Sequence, residues 1–177
     1  MAEEKSGDPL RESVKCTFQG EFFDQDVEVY VRKETYEALE RYAAADTSKE
    51  RGSILLGQYS AENGKMRVVI SDYVEARYAE ESASTLTFTH KTWDYVHRIR
   101  EEKFPQEKIV GWQHTHPGFG VFLSAYDMFI QENFFDLPFQ VAYVIDPVRH
   151  TQGFFRWKGK KVEELDGFFI YEKTEYQ

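Results

Sequence analysis

Four residues with the spacing H-x-H-x7-S-x-x-D dictate the local fold of this chain more strongly than any other pattern in it. The apolar run at residues 109–112 predicts a strand that leads to the first histidine. Side chains two apart on a strand project from one face, so both imidazoles can point at one ion. The motif residues are His114, His116, Ser124 and Asp127. This spacing predicts a strand, a turn and a helix that meet at one place.

The turn and the helix follow from the residues after the histidines. Residues 117–120, P-G-F-G, cannot continue a regular strand, and Ser124 has the position of an N-cap for a helix over 124–131. Residues three apart at a helix start share a face, so the Asp127 carboxylate can join the two imidazoles. Two histidines and one carboxylate suit a catalytic zinc ion, which keeps its fourth position for water. Structural zinc sites are richer in cysteine, and this chain has only Cys16.

Each candidate residue also has an ordinary structural interpretation. An isolated H-x-H is more often a pair of partly buried histidines, and Ser124 can be a helix cap as well as a functional hydroxyl. Asp146, which precedes a proline, is interpreted as a turn former rather than a catalytic acid. Residues without partner spacing are expected to be ordinary surface or inert positions, namely His90, His97, His150 and Cys16.

A zinc-bound water needs a carboxylate to accept its proton, and the best candidate is Glu50, at the head of an apolar strand. Glu50 also lies in the charged run K-E-R, a pattern typical of solvated surface. The runs E-x-x-x-I-L-L-G and G-W-x-H-x-H-P-G-x-G-x-x-L-S-x-x-D resemble the JAMM (MPN-plus, JAB1/Mov34) metalloprotease family, and the resemblance extends over most of residues 28–173. It implies Zn²⁺ with a bound water, held by His114, His116 and Asp127. It also implies Glu50 as the general base and Ser124 as the group that stabilises the oxyanion.

The residues that flank the histidines most resemble those of the isopeptidase subunits of the proteasome lid and the signalosome. Gln113 replaces a common tyrosine and Phe122 a common tryptophan, and neither position has a catalytic role. The chain stops soon after its last predicted strand, which favours a compact enzyme of the prokaryotic type. The resemblance implies a zinc-dependent isopeptidase or peptidase that cuts after the C-terminal glycine of ubiquitin or a ubiquitin-like protein. Its expected partners are that tail and its conjugate, with a homodimer or heterodimer with another MPN domain as a further alternative.

The sequence leaves two other functions open. Some relatives remove a C-terminal cysteine adduct from a ubiquitin-like sulfur carrier, and some MPN proteins are scaffolds without catalysis. The complete five-residue set speaks against a scaffold. A zinc deaminase is disfavoured because the P-C-x-x-C ligand pair is absent.

Composition favours one domain over residues 14–177, after a polar segment over residues 1–13 that is expected to be disordered. The net charge of −9 and the lack of a basic stripe argue against a nucleic-acid partner and suit a basic modifier. No apolar run has the length of a membrane span, and the acidic start does not resemble a signal peptide. We therefore expect a cytoplasmic protein without a membrane partner.

Hydrophobic periodicity predicts an α/β sandwich with a mixed and largely antiparallel central sheet flanked by helices. The resemblance implies the same architecture, the JAMM/MPN (cytidine-deaminase-like) fold. Residues 63–64, N-G, predict a hairpin turn. Residues 74–85 are polar and weakly patterned, which predicts a mobile loop near the cleft, where relatives pair with the modifier's tail. A Gly-Gly tail would fit a channel beside Phe119 or Phe122. Strands are predicted at 27–31, 53–59, 66–70, 86–88, 109–112, 141–145, 153–157 and 168–171, and further helices at 33–45 and 91–103.

Overall fold

The computed structural model describes residues 14–21 and 24–173, so the predicted disordered segment over residues 1–13 lies outside the described residues. Within these ranges three helices and eleven strands alternate along the chain. The helices are α1 (Lys33–Ala45), α2 (His90–Lys103) and α3 (Ala125–Phe134). The strands are β1 (Val14–Gly20), β2 (Val27–Arg32), β3 (Gly52–Glu62), β4 (Lys65–Glu75), β5 (Glu80–Glu81), β6 (Leu86–Thr87), β7 (Lys108–Thr115), β8 (Val141–Asp146), β9 (Thr151–Lys158), β10 (Lys161–Glu164) and β11 (Gly167–Lys173).

Nine of the described strands form one sheet in the order β1-β11-β2-β4-β3-β7-β8-β9-β10, while β5 and β6 form a separate hairpin. The pairs β11–β2, β2–β4 and β7–β8 are parallel, and the other neighbours in the large sheet are antiparallel. This arrangement confirms the predicted mixed, largely antiparallel sheet. The predicted turn at Asn63 and Gly64 joins β3 to β4, and both residues have positive φ, 54° and 77°. Positive φ at both central residues is the conformation that an Asn-Gly hairpin turn favours.

The sheet is covered on both faces, because each strand of its centre carries apolar side chains on alternate sides. Helix α1 packs on one face, where Leu39 and Ala43 join the valines of β2 in a buried cluster. Helices α2 and α3 pack on the other face, where Val96 and Ile130 surround the fully buried Trp112. Among the described residues, no helix combines the length and the apolar character that crossing a bilayer requires.

Two parts of the fold differ from the prediction. The segment over residues 74–85 was expected to be a loop, but β4 continues to Glu75, and β5 and β6 form a hairpin within and beside it. Val74 and Ala76 hold this segment in place because they are buried in the core beneath α2. Strands β1, β5 and β10 were not predicted. Strands β5 and β10 contain few apolar residues, whereas β1 alternates apolar and polar residues but is mostly exposed.

Candidate metal centre

Three elements end or begin at the same edge of the sheet. Strand β7 ends at Thr115, and its antiparallel neighbour β3 begins at Gly52, which lies opposite His114. His116 follows β7, and its backbone N–H donates to the carbonyl of Ile145 in β8 at 2.9 Å. Helix α3 begins close by, with Ser124 as its N-cap. The residues before β3, after β7 and at the start of α3 therefore surround one point.

The three predicted ligands lie together at this point and are buried, each at most 3% exposed. Nε2 of His114 lies 3.0 Å from Nε2 of His116. Oδ2 of Asp127 lies 3.2 Å from the first of these nitrogens and 3.0 Å from the second. This group of three side chains is compatible with binding one metal ion.

The chemistry of these three atoms fits a cation. Nδ1 of His116 lies 3.1 Å from the carbonyl oxygen of Gly120, which can only accept, so this nitrogen carries the proton. Nε2 then faces a carboxylate oxygen, an arrangement that is favourable when a proton or a metal ion lies between the two atoms. Zinc–nitrogen bonds of about 2.0–2.1 Å place tetrahedral ligand atoms about 3.3 Å apart. The observed separations of 3.0 to 3.2 Å are close to that value.

Electrostatics at the centre keep Asp127 negative. Burial alone would raise the pKa of Asp127, but the two imidazoles and the backbone N–H of Ser124 hold it well below its usual range. Burial lowers the pKa of His114, which is fully buried. For His116 the effect of burial is outweighed by Asp127, Glu50 and the Gly120 carbonyl, and its pKa is raised. An ionised Asp127 between imidazoles is the protonation state that metal binding requires.

Glu50 lies beside the three ligands, with Oε1 at 3.8 Å from Nε2 of His116. Its backbone N–H donates to the carbonyl of Ser82 at 2.7 Å, which fastens it to the β5–β6 hairpin. The next residue, Arg51, exchanges two hydrogen bonds with Thr115 at 2.9 Å each, so the acid is held in register with the histidines. Burial raises the pKa of Glu50 to about 7, while nearby His116 lowers it and Asp127 raises it.

Ser124 begins α3 with a capping box. Its hydroxyl accepts from the backbone N–H of Asp127 at 3.1 Å, and its own backbone N–H donates to Oδ2 of Asp127 at 2.9 Å. The second bond reaches the same oxygen that faces both histidines. The capping box therefore fixes the ligand as well as the helix end.

Sequence reasoning missed the side chains that hold the first histidine. The ring of Trp112 stacks on His114 at a centroid distance of 4.3 Å, and its Nε1–H donates to Oε1 of Gln131 at 2.7 Å. Gln131 is fully buried and also donates to the carbonyls of Phe135 and Gln140. The position of Gln131, one helical turn after Asp127, was the available signal, since a polar residue there shares the inward face.

The remaining predicted residues are separate from this centre. His90, His97 and His150 are exposed, and none belongs to a group of potential metal ligands within the described part of the chain. Cys16 is exposed in β1. Phe122 lies beside the centre, with its ring 4.7 Å from that of His116, and Phe119 is exposed in the preceding turn.

Segments of this chain are similar to several known proteins. NAD(+) hydrolase TcpA from Theionarchaea archaeon is 42% identical over 79 residues, which are 44% of this chain and 24% of that protein. The 26S proteasome regulatory subunit rpn11 of Schizosaccharomyces pombe is 48% identical over 48 residues, or 27% of this chain and 16% of that protein. Ubiquitin carboxyl-terminal hydrolase RPN11 of Saccharomyces cerevisiae is 44% identical over 48 residues. The chain thus matches only about a quarter or less of the length of these relatives.

A solved structure has the same fold. The solution structure of protein DSY2949 from Desulfitobacterium hafniense superposes with a TM-score of 0.61 and covers 82% of this chain and 94% of that one, at 15% identity. The family described as JAB1/Mov34/MPN/PAD-1 ubiquitin protease matches residues 23–137, more than half of the chain, and this range includes Glu50 and the whole H-x-H-x7-S-x-x-D motif. The chain therefore belongs to the JAB1/Mov34/MPN/PAD-1 family.

Proposed function

We propose that this protein is a zinc-dependent isopeptidase or peptidase that hydrolyses the bond after the C-terminal glycine of ubiquitin or a ubiquitin-like protein. The observation that carries the proposal is the convergence of two imidazole nitrogens and one carboxylate oxygen within 3.2 Å of one another. A second acid, Glu50, lies next to these three ligands without belonging to the set. A three-ligand set with a neighbouring acid is the composition of a hydrolytic centre rather than a structural one.

In this proposal His114, His116 and Asp127 hold the ion. When bound, zinc would supply Lewis acidity, which polarises a carbonyl and lowers the pKa of water to about 7. The chain's own residues supply the remaining steps. Trp112 and Gln131 keep His114 in place, and the Ser124 capping box does the same for Asp127.

Glu50 is the proposed general base and then the general acid. Its carboxylate takes a proton from the attacking water and later delivers it to the leaving amine. The two hydrogen bonds between Arg51 and Thr115 support this role, because they fix the acid relative to the histidines. The distance of 3.8 Å from Glu50 to His116 leaves it close enough to reach a reactant at the centre.

Ser124 is proposed to stabilise the oxyanion of the tetrahedral intermediate. Its hydroxyl accepts a hydrogen bond from the α3 backbone, and that acceptor role leaves the hydroxyl hydrogen available to a substrate oxygen. The N-terminus of α3 adds a partial positive charge at the same place. Both contributions favour a negatively charged oxygen more than a neutral carbonyl.

A ubiquitin-like substrate is supported by the named activity of the relative from Saccharomyces cerevisiae. The β5–β6 hairpin, bonded to the backbone of Glu50, gives an extended tail a strand edge beside the centre. An apolar groove of about 440 Å³ between β6 and α3 lies next to it, lined in part by Leu86, Phe88 and Tyr126. The net charge of −9 suits a basic modifier.

The relative named NAD(+) hydrolase adds NAD⁺ as a second substrate to test. We place it behind ubiquitin-like conjugates because the alignment covers 24% of that protein, so the name does not say which part acts on NAD⁺. A sulfur-carrier protein with a C-terminal cysteine adduct is a further candidate that the same centre can hydrolyse.

Glu50→Gln is the direct test of the mechanism. The zinc-loaded variant and the wild-type protein are incubated with ubiquitin-like conjugates, precursors, cysteine adducts and NAD⁺, and mass spectrometry identifies each leaving group. We expect Glu50→Gln to bind zinc and to lose nearly all cleavage, by about 10³-fold or more. Glu163→Gln, which changes an acid paired with Lys158 at 3.6 Å on the edge strand β10, is the control and should cleave normally. Cleavage by Glu50→Gln at the wild-type rate would refute the role of the base.

A further inference from the structure

Asp146 ends β8 with a buried carboxylate that accepts four backbone hydrogen bonds. Oδ1 accepts from the N–H groups of Val148 and Arg149 at 3.0 Å each and from Gly118 at 2.9 Å. Oδ2 accepts from Gly120 at 2.8 Å. The carboxylate thus joins two segments that are separate in sequence, its own turn and the loop after the histidines.

The loop after His116 depends on these bonds for its shape. Gly118 and Gly120 have φ values of 80° and 86°, which glycine adopts without the steric cost of a side chain. Phe119 donates its backbone N–H to the carbonyl of His116 at 3.1 Å, which makes a tight turn. A turn with two such glycines can adopt many backbone conformations, and its hydrogen bonds to the Asp146 carboxylate favour one of them.

That selected conformation sets the orientation of His116. The carbonyl of Gly120 lies 3.1 Å from Nδ1 of His116 and can only accept, so the proton lies on Nδ1 and Nε2 faces the centre. His114 is held in a different way. Its ring stacks on Trp112, and its own Nδ1 has no hydrogen-bond partner among the residues described.

We propose that Asp146 is a positioning residue for metal binding, which fixes the ring orientation and tautomer of His116 through the backbone of Gly120. This inference rests on the proposed metal site and extends it to a residue that touches no ligand atom. Outer-shell partners of this kind contribute about 10- to 100-fold to metal affinity. The sequence suggested only a turn former, and the bonds to Val148 and Arg149 fit that role. The bonds to Gly118 and Gly120 reach beyond the turn.

Asp146→Asn separates the two roles. The amide oxygen can replace Oδ1 and keep the three bonds on that side, but the NH₂ group then faces the N–H of Gly120, where two donors repel. The variant therefore preserves the turn and breaks the contact that orients His116. Arg149→Ala is the matched control. It removes an exposed guanidinium 3.8 Å from Oδ2 and leaves the backbone N–H in place.

Zinc affinity is measured by competition with a chelator for the wild-type protein and both variants, and amide NMR spectra report whether each is folded. We expect Asp146→Asn to bind zinc about 10- to 100-fold more weakly and Arg149→Ala to change by less than about threefold. A folded Asp146→Asn protein with wild-type affinity would overturn the positioning role and leave the proposed metal site intact. A folded wild-type protein that does not bind zinc would overturn the proposed function as well.

A second measurement needs no variant. Nitrogen-15 NMR of the zinc-loaded wild-type protein identifies which ring nitrogen of His116 carries the proton. We expect the proton on Nδ1. A proton on Nε2, or a mixture of both tautomers, would contradict the inference even if Asp146→Asn fails to fold.

Discussion

Helices α2 and α3 lie on the same face of the sheet and both begin with a capping box, yet they bury different kinds of side chain. Helix α2 buries Val96 in the core cluster, and its partly buried residues Trp93 and Ile99 pack against the same cluster. Helix α3 buries Asp127 and Gln131 along with Ile130. It leaves aromatic side chains in solvent, namely Tyr126 at 55%, Phe129 at 58% and Phe134 at 42% exposure.

Different interactions stabilise the two helices. Apolar burial stabilises α2 in the usual way, at roughly 1.5–3 kcal/mol for a large side chain. Helix α3 gains less from that source and depends on hydrogen bonds from Gln131 and on the contacts of Asp127 with two histidines. We therefore expect changes on the buried face of α3 to alter metal binding and turnover, whereas the matching changes in α2 alter stability alone.

The largest difference between the helices is expected at their caps. Ser124→Ala should lower turnover about 10²- to 10³-fold, because it removes a proposed oxyanion donor, and should cost about 1 kcal/mol of stability. Thr89→Ala removes the matching cap of α2, whose hydroxyl accepts from Thr92 at 3.2 Å, and should cost only the stability. Steady-state kinetics and urea unfolding of both variants make the comparison. Equal losses of turnover would mean that Ser124 is a cap and nothing more.

The next largest effect is expected for the hydrogen bond between Gln131 of α3 and Trp112. Gln131→Leu leaves the buried Nε1–H of Trp112 without its acceptor, so the free energy of unfolding should fall by about 1–3 kcal/mol. Urea unfolding of the metal-free proteins measures this directly. If Gln131→Leu were as stable as the wild type, apolar contacts would stabilise α3 just as they stabilise α2. The two helices would then not differ in the kind of interaction that holds them.

The smallest effect is expected on the exposed face of α3. Phe129→Ser should change the free energy of unfolding by no more than about 0.5 kcal/mol, because the side chain is largely in solvent. Val96→Ala in α2 should cost about 1–3 kcal/mol, since it removes buried methyl groups. Thermal and urea unfolding compare the two. A larger loss of stability for Phe129→Ser than for Val96→Ala would mean that the exposed face of α3 contributes more to stability than the buried face of α2, contrary to this account.

The sequence predicted those parts of the fold whose local signals agree with their tertiary surroundings. Helix α1 has the predicted bounds because its apolar residues repeat at the helical period and Leu39 and Ala43 lie inward. The Asn63–Gly64 turn was predictable from turn chemistry alone. Strand β10 was missed because a strand at the edge of a sheet buries few side chains and its residues, K-V-E-E, do not alternate. Strand β1 lies at the other edge, but its residues V-K-C-T-F-Q alternate between apolar and polar types, so β1 was predictable from the sequence.

The site was predictable only in part. The spacing of the motif and the position of Glu50 identified five residues that the structure brings together. Spacing places Gln131 on the helix face of Asp127 but does not give its role, and it gives no signal for Asp146. Each acts through a second element, Gln131 through Trp112 and Asp146 through Gly120. The exposed aromatic face of α3 was not predicted. Tyr126, Phe129 and Ile130 have the spacing of an apolar helix face, but Asp127 and Gln131 are buried with Ile130 while Tyr126 and Phe129 are exposed.

Zinc titration of the metal-free protein tests the central claim, that His114, His116 and Asp127 together hold one metal ion. The wild-type protein should bind one zinc ion per chain, and Asp127→Asn should weaken that binding by more than the roughly 10- to 100-fold typical of outer-shell partners. A folded wild-type protein that binds no zinc, or a folded Asp127→Asn variant that binds it with wild-type affinity, would contradict the account.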